Sequence, residues 1–448
     1  MLVKIKRGPR TTPSDRGNIS EAPTPASPIS WKVMSSPNLA LPFVETVEAH
    51  GHLIDSHIME RIFDTVVEFQ GRFDVEKFVI GRTNSDDSHL RLRLETPTRE
   101  LMEQLVTQLL GLGCTPVDAG DADVRTAGKD CCAPEDFYST TNNQTEVKVN
   151  GSWVTVAKQR MDALVVLKDG KAECRKLRDL KKGEVVVVGM RGIRVIPESK
   201  ERDRLAFAFM SNEISSERQV ETAVRQTVAL LKRAREEKKK IIVVAGPVVV
   251  HTGGGTPLSW LIRNGWVDAL LAGNALAVHD IESALLGTSL GVRQSDGRQE
   301  EHGHRNHMRA INAIYHSGNI AAAVADGKLT KGIMYETVKK GIPFVLAGSL
   351  RDDGPLPDTI TDMNEAQDAY TQQLNGASVV LCLSSMLHAI AAGNMLPSSV
   401  KIVCVDINPA VATKVSDRGT GQAVGVVTDV GLFLDHLARA IEQGTITQ

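Results

Sequence analysis

The stretch Ile241–Val250, IIVVAGPVVV, runs directly into His251-Thr252-Gly253-Gly254-Gly255-Thr256, and its reading decides the fold. Its apolar residues are continuous and do not alternate, which predicts a strand buried on both faces, as in a parallel sheet covered by helices. The same signature returns at Ala269–Ala272, Pro343–Ala347, Val379–Leu383, Val400–Val405 and Ala423–Val427, with helix-length sequence between most of them. Residues 241–443 are therefore expected to form a doubly wound, Rossmann-like α/β domain.

Upstream the pattern changes twice. From Val44 to Pro116 it reads strand, helix, strand, strand, helix and a last short strand. Ile58, Ile62, Val66 and Phe69 share one helix face, and Leu101, Leu105 and Leu109 another, while Leu90, Leu92 and Leu94 alternate with Arg91 and Arg93. That order is the split βαβ of a ferredoxin-like domain, expected over residues 44–145. Residues 146–236 read as a small β-rich subdomain with a linking helix. Asn150–Gly151 and Asp169–Gly170 are hairpin turn signals, and Val220, Val224, Val228 and Leu231 line one face of the helix. Residues 1–38 are rich in Pro, Ser, Thr and Arg and read as a disordered leader. A transit peptide would have this basic composition, but Asp15, Glu21 and the prolines argue against one, and Met34 offers an alternative start.

The bulk numbers narrow the function classes. At 448 residues, roughly two or three domains are expected. The net charge of -2 leaves no basic face for a general nucleic-acid partner. No apolar run reaches the roughly 18–20 residues that span a bilayer. The 6 cysteines form no C-x-x-C pair and no secretory segment precedes them, which predicts a cytoplasmic protein.

In open α/β sheets, ligands sit just beyond the C-terminal ends of the strands. Here those ends carry Gly253–Gly255, Gly273-Asn274-Ala275, Gly348 to Gly354, Ser384-Ser385-Met386-Leu387-His388, Asp406-Ile407-Asn408 and Thr428-Asp429-Val430. The glycine triplet lets backbone N–H groups approach an anion, or is a plain flexible turn. Ser385 to His388 open a helix whose free N–H groups suit a pyrophosphate. Asp406 closes a buried strand, where it can accept from a ribose diol and favour NAD over NADP, or cap the helix after Pro409. Asn274 and Asp353 are placed to hold the nicotinamide or the second ribose. His279, Asp280 and Glu282 bring three titratable groups into apolar sequence, where burial suits them for proton transfer; the alternative is a helix start capped by Asp280. His302, His304 and His307 are dense, but no Cys or carboxylate completes a tetrahedral set, so no metal is expected.

These residues sit in blocks, HTGGGTPL, LLAGNALAVHDIE, LAGSLRDDGPLPD, MLHAIAAGNMLP, VCVDINPAVATKVSDRG and VVTDV, that resemble the archaeal-type NAD-dependent ornithine cyclodeaminases. The same unit is similar to the C-terminal part of cyanobacterial arginine dihydrolase/ornithine cyclodeaminases. The segment from Val44 to about Val149, including FYSTTNNQTEV, resembles the conserved region of plant lysine-ketoglutarate reductase/saccharopine dehydrogenase. More distantly, the last domain resembles deoxyhypusine synthase, without that enzyme's lysine motif. The resemblance implies NAD as cofactor, held by Asn274, Ala275, Asp353, Ser385, Met386, Leu387, His388, Asp406, Asp429 and Val430. It also implies conversion of ornithine to proline and ammonia, with Arg351 or Lys414 for the substrate carboxylate and Asp280, Glu282 or Asp352 as base. The expected partners are a small-molecule amino acid and further copies of the chain in a homo-oligomer, with neither nucleic acid nor membrane. Two other readings stay open: a non-catalytic NAD-binding amino-acid sensor, and another NAD-dependent enzyme of the lysine/saccharopine type.

Overall fold

The computed structural model describes residues 41–444 apart from 52, 54–57, 82–87, 118–119, 197–215, 294–297, 299–302, 353 and 419–422. The leader expected over residues 1–38 lies outside the described residues, as do His302 and Asp353.

The first sheet is built from β1 (Phe43–Gly51), β2 (Arg72–Val79), β3 (Ser88–Thr96) and β4 (Cys114–Pro116), with helices α1 (Ile58–Glu68) and α2 (Arg99–Gly111) between them. Its order is β2-β3-β1-β4 with every neighbour antiparallel, which is the split βαβ arrangement. The alternation along β3 explains the two faces. Leu90, Leu92 and Leu94 pack with Ile62, Val66, Leu105 and Leu109, while Arg91 and Arg93 pair with Glu48, Asp74, Glu76 and Glu95 on the other side.

A second sheet of 7 strands follows: β5 (Val124–Thr126), β6 (Gln144–Val149), β7 (Ser152–Ala157), β8 (Leu164–Lys168), β9 (Lys171–Arg175), β10 (Val185–Val187) and β11 (Ile193–Ile196). Both hairpin turns take the left-handed backbone that a two-residue turn needs, with φ of 51° and 77° at Asn150–Gly151 and 50° and 71° at Asp169–Gly170. Strand β5 precedes residue 146 yet pairs with β10 in this second sheet, because the chain from 124 to 143 wraps back along it. Helix α3 (Ser216–Glu236) then buries Val220, Val224, Val228 and Leu231. Arg235 near its end donates to Asp268, and Asp268 also accepts from the Ile241 N–H at 2.7 Å, tying the helix to the strand that follows.

The remaining chain runs β12 (Lys240–Ala245), α4 (Val248–His251), α5 (Gly255–Arg263), β13 (Ala269–Gly273), α6 (Asn274–Leu286), β14 (Thr288–Ser289), β15 (Val292–Arg293), α7 (Asn306–Ser317), α8 (Ile320–Ala325) and α9 (Ile333–Lys340). It continues through β16 (Phe344–Ala347), β17 (Thr359–Ile360), α10 (Met363–Leu374), β18 (Ala377–Leu383), α11 (Met386–Met395), β19 (Lys401–Asp406), α12 (Pro409–Arg418), β20 (Ala423–Val427) and α13 (Val430–Glu442). All strands except the small β14–β15 hairpin form one parallel sheet, ordered β17-β16-β13-β12-β18-β19-β20. Its two faces are two cores. Ile241, Val243 and Ala245 pack with α3, α5, α6 and α13, whereas Ile242 and Val244 pack with α10, α11 and α12. Double-sided burial is why these strands carry no polar alternation.

The strand expected over Ile241–Val250 is shorter in the structure. It stops at Ala245, and Pro247, with φ of -62°, starts the helical turn α4. Chain order reverses between β12 and β18, so the crevice of this sheet opens at their C-terminal ends. There Gly246 donates to the Leu383 carbonyl at 2.9 Å, and a Cβ on Gly246 would lie 2.1 Å from the Ser384 carbonyl oxygen. Gly246→Ala is therefore expected to prise these two strand ends apart and cost about 1–3 kcal/mol, measured by denaturant unfolding. A variant as stable as the wild type would show that the close approach is not maintained in solution.

Candidate active site

A cleft of about 680 Å³ opens at the reversal point. One wall is the turn from β13 into α6. Gly273 lies where a Cβ would come within 2.9 Å of His388 Cε1, so α11 can approach only because the side chain is missing. Asn274, buried at the first position of α6, accepts from the Leu356 N–H and the Thr359 hydroxyl, each at 3.0 Å. It thereby fixes the loop carrying Ser349, Arg351 and Asp352, which line the cleft beside Ala275. Within that loop, Asp352 accepts from the Ser349 N–H at 2.7 Å, so its carboxylate is already engaged.

The opposite wall is the start of α11. Ser384 holds φ of 46°, a left-handed backbone strained for a residue with a Cβ, and it makes the sharp turn from β18 into the helix. Ser385 stands at the cap position, yet its hydroxyl bonds His388 Nδ1 at 3.0 Å and caps no backbone group. The first N–H groups of α11 have no acceptor within the helix, and the residues that carry them line the cleft. Met386 and Leu387 line it with apolar surface. Burial lowers the pKa of His388, which keeps the ring neutral beside the cleft.

Further along the same edge, Asp406 ends β19 and Asp429 follows β20. Asp406 Oδ1 accepts from the Asn408 N–H at 2.8 Å, and it is Asn408 that accepts from Ala410 at the start of α12. The cap alternative for Asp406 therefore belongs to Asn408. Asp429 accepts from the Leu432 N–H at 2.9 Å and caps α13, and Val430 is buried in the core at the first position of that helix.

The glycine triplet sits elsewhere. Because α4 intervenes after β12, Gly253 and Gly255 line a separate cavity of about 480 Å³, and Gly254 packs against α13, where a Cβ would meet Leu434 and Gly431. Its reading as an anion turn of the strand-end cleft is corrected accordingly.

Helix α6 divides the titratable cluster. Asp280 turns away from the strand-end cleft and accepts from the Ile333 and Met334 N–H groups, both at 2.8 Å, as the cap of α9. Burial pushes its pKa up to about 6 against those two bonds. Glu282, with no exposed surface, accepts from the Thr288 hydroxyl at 2.8 Å and from the Leu290 and Gly291 N–H groups at 3.1 and 3.0 Å. It also meets His279 Nδ1 at 3.2 Å. Burial acts to raise the Glu282 pKa, but these bonds outweigh it and hold the carboxyl below its usual value. An ionised Glu282 makes Nδ1 the protonated nitrogen of His279 and leaves Nε2 to exchange a proton. His279 lines the cleft, and His251 stands beside it at 4.9 Å between ring centroids, with its own Nδ1 on the Ser289 hydroxyl at 2.6 Å. Burial and then the neighbouring His279 lower the His251 pKa.

His251 was legible only as part of the glycine block, and its place opposite His279 depends on the α4 turn. His307 of α7 also lines the cleft. Arg351 reaches it as well, whereas Lys414 on α12 is not among the lining residues.

Three family models tile the chain. Residues 225–437 match the arginine dihydrolase ArgZ-like C-terminal Rossmann fold, residues 144–224 the first region of that C-terminal part, and residues 44–143 the LOR/SDH bifunctional enzyme conserved region. The chain is 46% identical over 409 residues to the ornithine cyclodeaminase of Methanocaldococcus jannaschii, covering 90% of this chain and 97% of that protein. It is 48% identical over 408 residues to the bifunctional arginine dihydrolase/ornithine cyclodeaminase AgrE of Nostoc sp., covering 89% of this chain and 58% of AgrE, so it spans little more than half of that relative. The crystal structure of the ternary complex of AgrE with ornithine and NAD+ has a TM-score of 0.50 at 46% identity, covering 90% of this chain and 58% of that one. With a relative of nearly full-length match on each side, the chain belongs to the ornithine cyclodeaminase family.

Proposed function

We propose that the protein is an NAD-dependent ornithine cyclodeaminase, converting L-ornithine to L-proline and ammonia. The observation that carries this reading is a single cleft in which the Glu282–His279 pair faces the free N–H groups of α11 across the sheet's reversal point. The AgrE complex with ornithine and NAD+ supports the choice of substrate and cofactor.

The residues present fit a dinucleotide. The first turn of α11 would offer N–H groups to a pyrophosphate and Asp406 an oxygen to a ribose diol, with Asn274, Ala275, Met386, Leu387 and His388 lining the cleft, while Asp353, Asp429 and Val430 are assigned to the cofactor from the family resemblance alone. NAD, when bound, supplies a hydride acceptor for the substrate α-carbon and later a hydride donor. Arg351 holds the substrate carboxylate. His279 takes the proton of the α-amine through Nε2 as the C–N bond becomes an imine, and Glu282 stabilises the charged ring. The substrate δ-amine then attacks the α-carbon, ammonia leaves with the returned proton, and the ring imine is reduced to proline. Asp280 acts from behind by holding α9 against α6.

The same reading places the enzyme in proline formation in the cytoplasm, with a small amino acid as its partner. No helix among the described residues is long and apolar enough to cross a membrane. Leu290, Leu350, Leu387 and Ile407 are exposed along the strand-end edge, and they support the homo-oligomer we propose.

Incubation with L-ornithine should release ammonia and proline in equal amounts without net NADH, and a deuterium at the α-carbon should be retained in proline. Release of ammonia with accumulating NADH would replace this reading with an oxidative deaminase. His279→Gln should lower kcat by roughly 10²–10⁴ while NAD affinity stays within a few-fold; wild-type turnover in that variant removes His279 from the chemistry. For the cofactor, Asp406→Ala should weaken NAD by about 1.5–3 kcal/mol, read by titration of NAD, and equal affinity would place the ribose elsewhere.

Asp280 gives a pH signature. Its pKa in the fold, about 6, lies above the ordinary aspartate value of 3.8. The folded protein therefore holds this proton longer than the unfolded chain does. The stability of the wild type relative to Asp280→Asn should fall as pH rises from about 4 to 6, by on the order of 3 kcal/mol in total. Urea titrations of both proteins across that range measure it, and a difference independent of pH would mean that the carboxyl is ionised throughout.

A further inference from the structure

A third cavity, of about 990 Å³, lies between the β-rich sheet and the parallel sheet. Ala377 and Val400 in its wall mark where β18 and β19 begin, so it sits at the edge of the parallel sheet away from the strand-end cleft. Its basic lining residues are Lys158, Arg160, Arg175 and Lys176, against Asp179 as the acidic one. All but one of these cations are neutralised. Lys158 pairs with Glu173 at 2.8 Å, Arg175 with Glu173 and with Glu184 at 2.9 Å, and Lys176 with Asp368 and with Asp179 at 3.2 Å.

Arg160 is the exception. Its guanidinium makes no ion pair among the described residues, and its Nε is buried without a hydrogen-bond partner. The acids on this side are already taken, Asp368 by Lys176 and Arg178 and Asp179 by Lys176. The Arg160 backbone is fixed at the seam as well: its carbonyl accepts from the Thr140 hydroxyl at 2.7 Å, and the next N–H, of Met161, donates to the Asn394 carbonyl at 3.0 Å. Burial works against the charge of this side chain, and outweighs the more distant support it draws from Cys174, Asp368 and Asp179. A guanidinium in the cavity wall with no carboxylate partner of its own is suited to donate to an oxyanion through its Nη groups. Leu374, Met395 and Leu396 add apolar surface to a lining that also carries Gln144, Gln372 and Asn375.

We propose that this seam cavity is a second ligand site, which takes a small oxyanion-bearing metabolite on Arg160. The shared chemistry is a carboxylate or a phosphate on a compact, partly apolar body. Because the ligand touches both sheets, its binding also stiffens their junction. The site is independent of the ornithine and NAD reading.

The test is calorimetric titration of inorganic phosphate, and separately of succinate, into full-length protein in excess NAD, so that anion-binding N–H groups in the strand-end cleft are filled. Saturable binding of either probe is expected, with a rise in melting temperature; phosphate alone would indicate a phosphate ester, succinate alone a carboxylate metabolite. Arg160→Gln should weaken binding roughly tenfold or more. Ala157→Glu, at an exposed position on the same wall, should abolish it by supplying an internal carboxylate. Turnover without added anion should stay within twofold of wild type in both variants. Should Arg160→Gln fail to fold, Ala157→Glu decides alone. The proposal is overturned if neither probe binds the wild type saturably, or if the folded variants bind as tightly as it does.

Discussion

Everything at the candidate active site depends on how closely β12 and β18 approach at their C-terminal ends. Parallel strands diverge into separate loops unless something closes them, and here the Gly246 N–H reaches the Leu383 carbonyl. No side chain fits at Gly246, because the Ser384 carbonyl already fills the space where its Cβ would stand. The strained turn at Ser384 is the other half of that contact, and it aims the start of α11 across the crevice. Gly273 repeats the device on the neighbouring strand by leaving room for His388. Missing side chains and one left-handed residue thus bring two helix starts, α6 and α11, to one cleft.

Helix α6 shows how such a cleft is supported. It is buried along most of its length and carries polar groups that an apolar core cannot leave unpaired. Asn274 satisfies its carbonyl oxygen by holding the Leu356–Thr359 loop, and Asp280 satisfies both carboxylate oxygens on the start of α9. Glu282 gathers Thr288, Leu290 and Gly291 and still reaches His279. One helix therefore fixes three neighbouring segments through acceptors, and the imidazole is oriented as a consequence. The carboxylates that look equivalent in sequence differ because α6 turns them to different neighbours.

The β-rich sheet is fastened to the same assembly. Asn142 Nδ2 donates to the carbonyls of Gly393 and Leu396 at the end of α11, and the Asn142 main-chain carbonyl accepts from the Ser398 N–H. Orphan carbonyls at a helix C-terminus need donors, and here they come from another sheet. Arg178 adds a second tie by donating to the side chains of Asn364 and Asp368 in the first half of α10. The helix whose start walls the cleft is thus held at its far end by residues more than two hundred positions earlier in the chain.

Much of this was legible beforehand. Continuous apolar runs from Ile241 to Val427 determine a two-sided parallel sheet, because only burial on both faces removes alternation. The alternation of Leu90, Leu92 and Leu94 with Arg91 and Arg93 likewise determines a one-sided sheet, and Asn150–Gly151 a tight hairpin. The residues at strand ends are local facts of sequence; of them, Asn274, Ala275, Ser349, Arg351, Asp352 and Ser384 to His388 line the cleft. What sequence could not decide was direction. Whether the chain after β12 continued as strand or turned at Pro247 moved the glycine triplet out of the cleft and His251 into it. Asp280 and Glu282 differ by two positions, a rotation of over half a helical turn, and only the packing of α9 and the β14–β15 hairpin around α6 separates a helix cap from the anchor of a histidine. Local pattern sets which residues are buried, since burial follows periodicity; which groups meet is set by long-range packing, since a polar side chain's partner lies on whichever distant segment the fold brings to it.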